Sequence, residues 1–299
     1  MSELERAAPR LNIPLQLWAG LLLIAVAWPL NWALPGHRTH LLFFPLWLGY
    51  SLFIDGLVLL RKGSSLLTRD WRRYIGLFLI SAPAWWLFEL LNWRTGNWEY
   101  IGRDAFSDLE YAALASLSFS TVIPAVFGTT ELVSTFRWVK QLGPGPRLRP
   151  VRPVVLGLFL MGWAMLALLL AWPRLFFPFL WLSIYFILEP LNAWLGHPNL
   201  GDFTARRDWR PVVAIWIGTL TCGFFWELWN FYAFPKWVYH VPVVDFLPLF
   251  EMPILGYSGY LPFGMELFAL YHLIVGIIEP SARAYIQIGD PSPSEPNIA

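Results

Sequence analysis

Eight stretches of this chain are apolar for about twenty residues at a time, and that decides what it can fold into. They run over 14–34, 41–60, 74–93, 111–133, 154–172, 175–195, 212–232 and 254–279. A helix needs about 20 such residues to cross the hydrocarbon of a bilayer, because each residue advances it only about 1.5 Å. The strands of a membrane barrel would alternate in polarity over about ten residues; these stretches do not alternate, so helices are expected. Composition agrees. The chain is 57% hydrophobic and 14% charged, against about 25% charged in a soluble domain, and so little polar surface cannot coat a water-soluble globule. The expected fold class is all-α, a polytopic integral membrane protein of about eight transmembrane helices.

The basic residues set the expected orientation. With eight spans, the side opposite both termini holds Arg38, Arg94, Arg103, Arg174 and Lys236, and the other 16 of the 21 Lys and Arg residues fall on the side of the termini. The positive-inside bias then puts both termini in the cytoplasm, in a bacterial inner membrane. A net charge of +1 gives no reason to expect nucleic acid as a partner. The one cysteine, Cys222, excludes an internal disulfide and a thiolate metal cluster. The first stretch has no small-residue cleavage site and is expected to be retained as a helix. The end of the chain, 283–299, is Pro/Ser-rich from Asp290 and is expected to be disordered.

The chain also repeats itself. Trp47 and Asp55 align with Trp181 and Glu189 at identical spacing, and Arg69-Asp70-Trp71-Arg72 recurs as Arg207-Asp208-Trp209-Arg210. Glu89-Leu90 with Asn92 recurs as Glu227-Leu228 with Asn230; Trp98 and Tyr100 match Trp237 and Tyr239 after a one-residue insertion; Pro124 matches Pro262. The expected units are 1–142 and 150–282. Each holds four spans, an even number, so both point the same way and are expected to be related by a pseudo-two-fold axis along the membrane normal.

Acids inside apolar spans cost about 2.5–3.5 kcal/mol at a helix centre and usually face a partner or a cavity. Asp55, Glu89, Glu189, Glu227 and Glu266 are such acids. Helical spacing puts Glu89 and Asn92 on one face, and Glu227 and Asn230 likewise, each pair at the outer end of its span. A polar lock between helices is the plainer reading of these pairs, and Asp55 could simply pair with Arg61 or Lys62. Glu266 and His272 lie on different faces of one span, and His272 reads as a packing residue. No metal-ligand spacing occurs, and no cofactor is indicated. The chain has 19 tryptophans, 23 phenylalanines and 11 tyrosines. Many suit interfacial belts, but Trp85, Trp86, Trp226 and Trp229 sit beside the acids. Protonating an alkene requires an acid and aromatic faces that tolerate the resulting cation, and a proton-coupled carrier would use the same combination.

In its order of elements the chain resembles the membrane lycopene cyclase family, of the actinobacterial heterodimeric and fungal bifunctional type, as a duplicated and divergent version. The resemblance rests on Asp55, Arg69–Arg73, Glu89, Gly96-Asn97-Trp98-Glu99-Tyr100 and Asp108-Leu109-Glu110, and in the second unit on Glu189, Arg206–Arg210, Glu227, Trp237-Val238-Tyr239 and Pro248-Leu249-Phe250-Glu251. It covers spans 2–4 and 6–8. It implies that Glu89 and Glu227 stand where that family carries its Trp-Asp acid, and Glu110 and Glu251 where it carries its Pro-Leu-Glu-Glu acids. The first unit here reads DLEY and the second PLFEM, without the twin acid.

The function expected is an intramembrane enzyme acting on a carotenoid or isoprenoid-type lipid, as a cyclase, isomerase or hydratase. Glu89, Glu227, Glu110 and Glu251 would be its acid–base groups, oriented by Asn92 and Asn230. Trp85, Trp86, Trp98, Tyr100, Trp226, Trp229, Trp237, Tyr239, Asp55, Glu189 and Glu266 are the candidate substrate-binding residues. Its partners would be membrane lipid and a hydrophobic small molecule. The rival expectation is a proton-coupled or small-solute transporter using the same acids along the axis; a scaffold subunit is the third and predicts no central cavity.

Overall fold

A computed structural model describes residues 13–34, 36, 40–241 and 246–289. The helices are α1 Leu15–Ala33, α2 Phe43–Lys62, α3 Leu66–Arg69, α4 Trp71–Thr95, α5 Asp108–Phe119, α6 Val122–Ser134, α7 Arg137–Lys140, α8 Arg152–Ala171, α9 Pro173–Phe176, α10 Phe179–Leu195, α11 Leu200–Ala205, α12 Arg210–Asn230 and α13 Tyr260–Ile278. Four short strands, β1 Trp98–Ile101, β2 Lys236–Tyr239, β3 Pro248–Leu249 and β4 Met252–Pro253, and 3-10 turns at Arg103–Ala105, Ile254–Gly259 and Pro280–Ala284 join them. Seven helical segments are long and apolar enough to cross a membrane, counting α5 with α6 as one, and they mark the chain as an integral membrane protein. α10, where the sixth of the eight spans was expected, has 17 residues and falls short of the other seven. It starts only after Pro178, and the preceding turn forms the separate helix α9.

The fourth expected span is broken. α5 ends at Phe119 and α6 begins at Val122. Pro124 has no N–H to return to the Ser120 carbonyl, so the helical ladder fails there. Ser81 of α4, itself buried, repairs the break: its hydroxyl donates to the Phe119 carbonyl (2.6 Å) and accepts from the Ile123 N–H (3.0 Å). Freed backbone groups at membrane depth need a partner of this kind.

α12 packs against α6 and α13; α1 packs along α2, and α8 along α10. Gly218 brings α12 against α6, since a Cβ there would lie 2.8 Å from the Thr130 backbone nitrogen. Small residues permit such close helix crossings in membranes. The largest fully buried side chains of the core are aromatic, Trp47, Phe88, Phe127, Trp229, Phe263 and Tyr271.

The two recurring Trp-x-Tyr segments pair as a two-stranded antiparallel ribbon. β1 pairs with β2 in the register Trp98 to Tyr239, Glu99 to Val238, Tyr100 to Trp237 and Ile101 to Lys236. Gly96 makes the turn into it: it ends α4 at φ 61°, where a side chain would be strained.

At the opposite, arginine-rich end the expected disorder from 283 is corrected. Tyr285, Ile286 and Ile288 are buried. The Gln287 N–H donates to Glu131 (2.8 Å), the Tyr285 hydroxyl to the Leu66 carbonyl (2.7 Å), and Arg69 to the Tyr285 carbonyl (2.9 Å). The apolar side chains of this segment and the buried carboxylate of Glu131, paired also with Arg69 and Lys62, hold it against the bundle. The residues from 290 onward lie outside the described ones.

Candidate functional site

α4 delivers Glu89 to the ribbon end of the bundle, where one oxygen collects three donors. Trp85, one turn earlier on α4, gives its indole N–H at 2.8 Å; from β1, Trp98 gives its indole N–H at 3.1 Å and Tyr100 its hydroxyl at 2.6 Å, all to Oε1. α12 delivers Glu227, whose Oε1 accepts the hydroxyls of Tyr239 on β2 (2.8 Å) and Tyr260 at the start of α13 (2.7 Å), with the Trp237 indole beside it. Glu89 is half-buried and Glu227 fully buried, its Oε2 lacking a hydrogen-bond partner among the described residues. Burial, and then the neighbouring carboxyl, pushes the phenols of Tyr100 and Tyr239 well above their ordinary pKa, so both remain O–H donors.

Asn92 and Asn230 do not orient the carboxyls, as was expected. Each reaches along the chain and clamps a strand. Asn92 Nδ2 donates to the Trp98 carbonyl (2.8 Å), and its Oδ1 accepts from the Asn97 and Trp98 N–H groups (2.8 and 3.2 Å). Asn230 Nδ2 donates to the Trp237 carbonyl (2.7 Å), and its Oδ1 accepts from the Trp237 N–H (2.9 Å). Side-chain amides satisfy both a donor and an acceptor at once, which suits them to pin a strand to the helix that precedes it.

The donors of both carboxyls share one cavity of about 140 Å³. Trp85, Trp98, Tyr100, Trp226, Trp237 and Tyr239 line it, as do Tyr260, Phe263, Trp181, Phe43, Tyr111 and Phe119. Among the described residues no Lys or Arg lines it, and His40 is the one basic side chain there. Neither carboxyl is itself a wall residue; the phenols and indoles stand between the acids and the space.

The other expected site residues lie elsewhere. Glu110 is exposed and closes a capping box with Ser107 at the start of α5 (2.9 and 2.7 Å). Glu251 pairs with Lys236 in the turn between β3 and β4. Trp86 donates to Ser116 (2.9 Å), and Trp229 packs against Trp47 in the core. Asp55 and Glu189 serve one purpose twice, capping the short helices after their spans. Asp55 accepts from the Leu67 N–H (3.0 Å) and the Ser65 hydroxyl (2.7 Å), and Glu189 from the Gly201 N–H (2.9 Å). A carboxylate at a helix N-terminus satisfies otherwise orphan amides. Arg61 and Lys62 take other partners, Thr135 and Glu131. Glu266 is fully buried with neither oxygen partnered among the described residues, and His272 sits 2.9 Å from the Phe268 carbonyl.

Of the wall residues that escaped the sequence reading, two bear on the chemistry. Tyr260 stands, by the Pro124–Pro262 match, where the first unit has Val122. Its space comes from Gly223, the counterpart of Trp85, at which a Cβ would lie 2.5 Å from the Tyr260 ring. The second donor to each carboxyl thus comes from a different helix in each unit, so a search for repeated residues passes over it. Asn31 of α1, buried and lining the cavity, was visible only as a single amide in an apolar helix.

Comparison with known proteins adds nothing to this geometry: no protein family, no characterised protein and no solved structure matches the chain.

Proposed function

We propose that this protein is an intramembrane enzyme that isomerises an apolar, unsaturated lipid of the isoprenoid class by acid–base chemistry, as its resemblance to the membrane lycopene cyclases implies. One observation carries the reading: two carboxyls, one from each unit, are gripped by phenol and indole donors that together wall a single aromatic cavity. Glu227 is the acid. It is buried with an unpaired oxygen, a position in which a full charge is expensive. Glu89 is the base, because it is only half-buried and three donors on one oxygen favour its anion relative to that of the fully buried Glu227. Tyr239 and Tyr260 lie between Glu227 and the cavity, and Tyr100 between Glu89 and the cavity, so the phenols relay the proton: on the acid side a phenol turns its O–H to the alkene and takes the Glu227 proton in its place, and on the base side the Tyr100 oxygen receives the substrate proton as its own passes to Glu89. An alkene carbon gains a proton, the cation rests against the aromatic faces, and a neighbouring carbon loses a proton to Glu89. The substrate's atoms and electrons balance without a redox partner, and loss of a proton from Glu89 with regain of one by Glu227 resets the pair for the next turnover. Glu110 and Glu251, engaged in a helix cap and an ion pair, have no part in this.

The two units are proposed to be parallel repeats about an axis through the ribbon. The register supports this, since Trp98 faces Tyr239 while Tyr100 faces Trp237, the reciprocal pairing that a two-fold imposes on the matched Trp-x-Tyr segments. The arginine-rich end is assigned to the cytoplasm of a bacterial inner membrane.

Expression in a host that accumulates lycopene and other isoprenoids, beside Glu89→Gln and Glu227→Gln, tests the reaction. A new isomeric product that disappears in both variants is expected. An unchanged extract, together with carboxyl-dependent uptake of a solute into vesicles, would support the transporter instead.

A further inference from the structure

Asn31 is the one side chain of α1 in the cavity wall, and α8, which packs along α10 as α1 packs along α2, contributes none. Asn31 is fully buried. Its Nδ2 donates to the Trp229 carbonyl at 3.2 Å. Only the amide nitrogen can donate to a carbonyl, so this contact fixes which way the side chain is turned. Oδ1 is then the free end, and it has no hydrogen-bond partner among the described residues. A buried acceptor left unmade is costly, the more so where its neighbours are aromatic carbon.

We propose that the cavity takes a lipid bearing a hydroxyl group, whose O–H donates to Asn31 Oδ1 while its unsaturated chain lies against the tryptophan and tyrosine faces. The acceptor requires a donor on the ligand, which a pure hydrocarbon lacks. The donor is a neutral hydroxyl, because among the described residues no carboxylate lines the cavity to balance a cation. This rests on the proposed function for the class of chain and adds its polar end.

The full-length protein in lipid nanodiscs, titrated with geranylgeraniol and with the hydrocarbon of the same chain lacking the hydroxyl, tests it. Quenching of tryptophan fluorescence reports occupancy, since Trp85, Trp98, Trp226 and Trp237 line the cavity. The alcohol is expected to bind about fivefold to tenfold more tightly than the hydrocarbon, the worth of one neutral hydrogen bond. Asn31→Leu is expected to erase that preference while leaving hydrocarbon binding within about twofold, and Asn31→Gln, which keeps an amide, to retain part of it. Equal binding of both ligands by the wild type, no binding of either, or an equal loss of both in Asn31→Leu would overturn the proposal; the last is what a water-filled or purely structural site would give. The readout is occupancy and not turnover. Alcohol binding without any product would leave this inference standing and remove the acid–base reading. Turnover of the hydrocarbon with no preference for the alcohol would do the reverse.

Discussion

Trp98 lies opposite Tyr239 in the ribbon, so a carboxyl in each half of the chain is held from a pair of strands that belong to different halves. Glu89 is gripped through β1 and Glu227 through β2. Each grip is made within its own half, and the pairing of the strands sets the two side by side.

The strands depend on the asparagines. Asn92 makes three hydrogen bonds to the backbone around β1, and Asn230 makes two to Trp237. Asn92→Ala and Asn230→Ala are each expected to cost about 2–3 kcal/mol, at about 1 kcal/mol per bond, read as a lowered unfolding midpoint in detergent. A loss under about 0.5 kcal/mol, the range of ordinary surface substitutions, would remove the clamp from the account.

Gly223 and Tyr260 are coupled through space. Gly223→Ala puts a methyl group 2.5 Å from the Tyr260 ring, and overpacking of this sort costs about 1–3 kcal/mol. In a Tyr260→Ala background that penalty is expected to vanish, and in Tyr260→Phe to persist, because the conflict is with the ring and not the hydroxyl. A double-mutant cycle with no coupling between the two sites would refute the contact.

Glu266 contributes a buried acid with no partner among the described residues. Glu266→Met keeps the volume and removes the polar group, so stability is expected to rise by about 1–3 kcal/mol. A lower midpoint in thermal unfolding would show that the carboxyl is held by something at the site.

The phenols set a high-pH limit. Burial raises the pKa of Tyr100 and Tyr239 above the ordinary 10.0. In the unfolded chain they ionise near that ordinary value, while in the folded protein they stay neutral. The unfolded state then binds fewer protons, so their contribution is complete below about pH 10 and is lost as pH rises beyond it. The midpoint is expected to fall above that pH, and to fall less steeply in Tyr100→Phe/Tyr239→Phe. Identical slopes would contradict the shift.

What could be read from the sequence was local. Helical spans follow from about twenty apolar residues in a row, and seven such helical segments are present. The matched Glu-Leu-x-Asn and Trp-x-Tyr segments picked out both carboxyls and four of the wall aromatics, because each motif is complete within about a dozen residues. Spacing could not say that Asn92 holds a strand and not its neighbour Glu89, since both share one helix face. Pro124 was visible as a match to Pro262, but the repair of the break it makes, by Ser81 from another helix, was not.

The sequence by itself determined the membrane class, the length of the helices and the residues that recur, because these depend on composition and on spacing along one segment. Only the tertiary structure decided which recurring residues share a cavity. It paired Trp98 with Tyr239 across the halves, let Tyr260 enter the space above Gly223, turned Asn31 of α1 into the wall, and folded 284–289 onto Glu131. Each is a contact between segments remote in the chain, and its energy depends on the shape and polarity of what lies opposite, which no stretch of residues encodes alone.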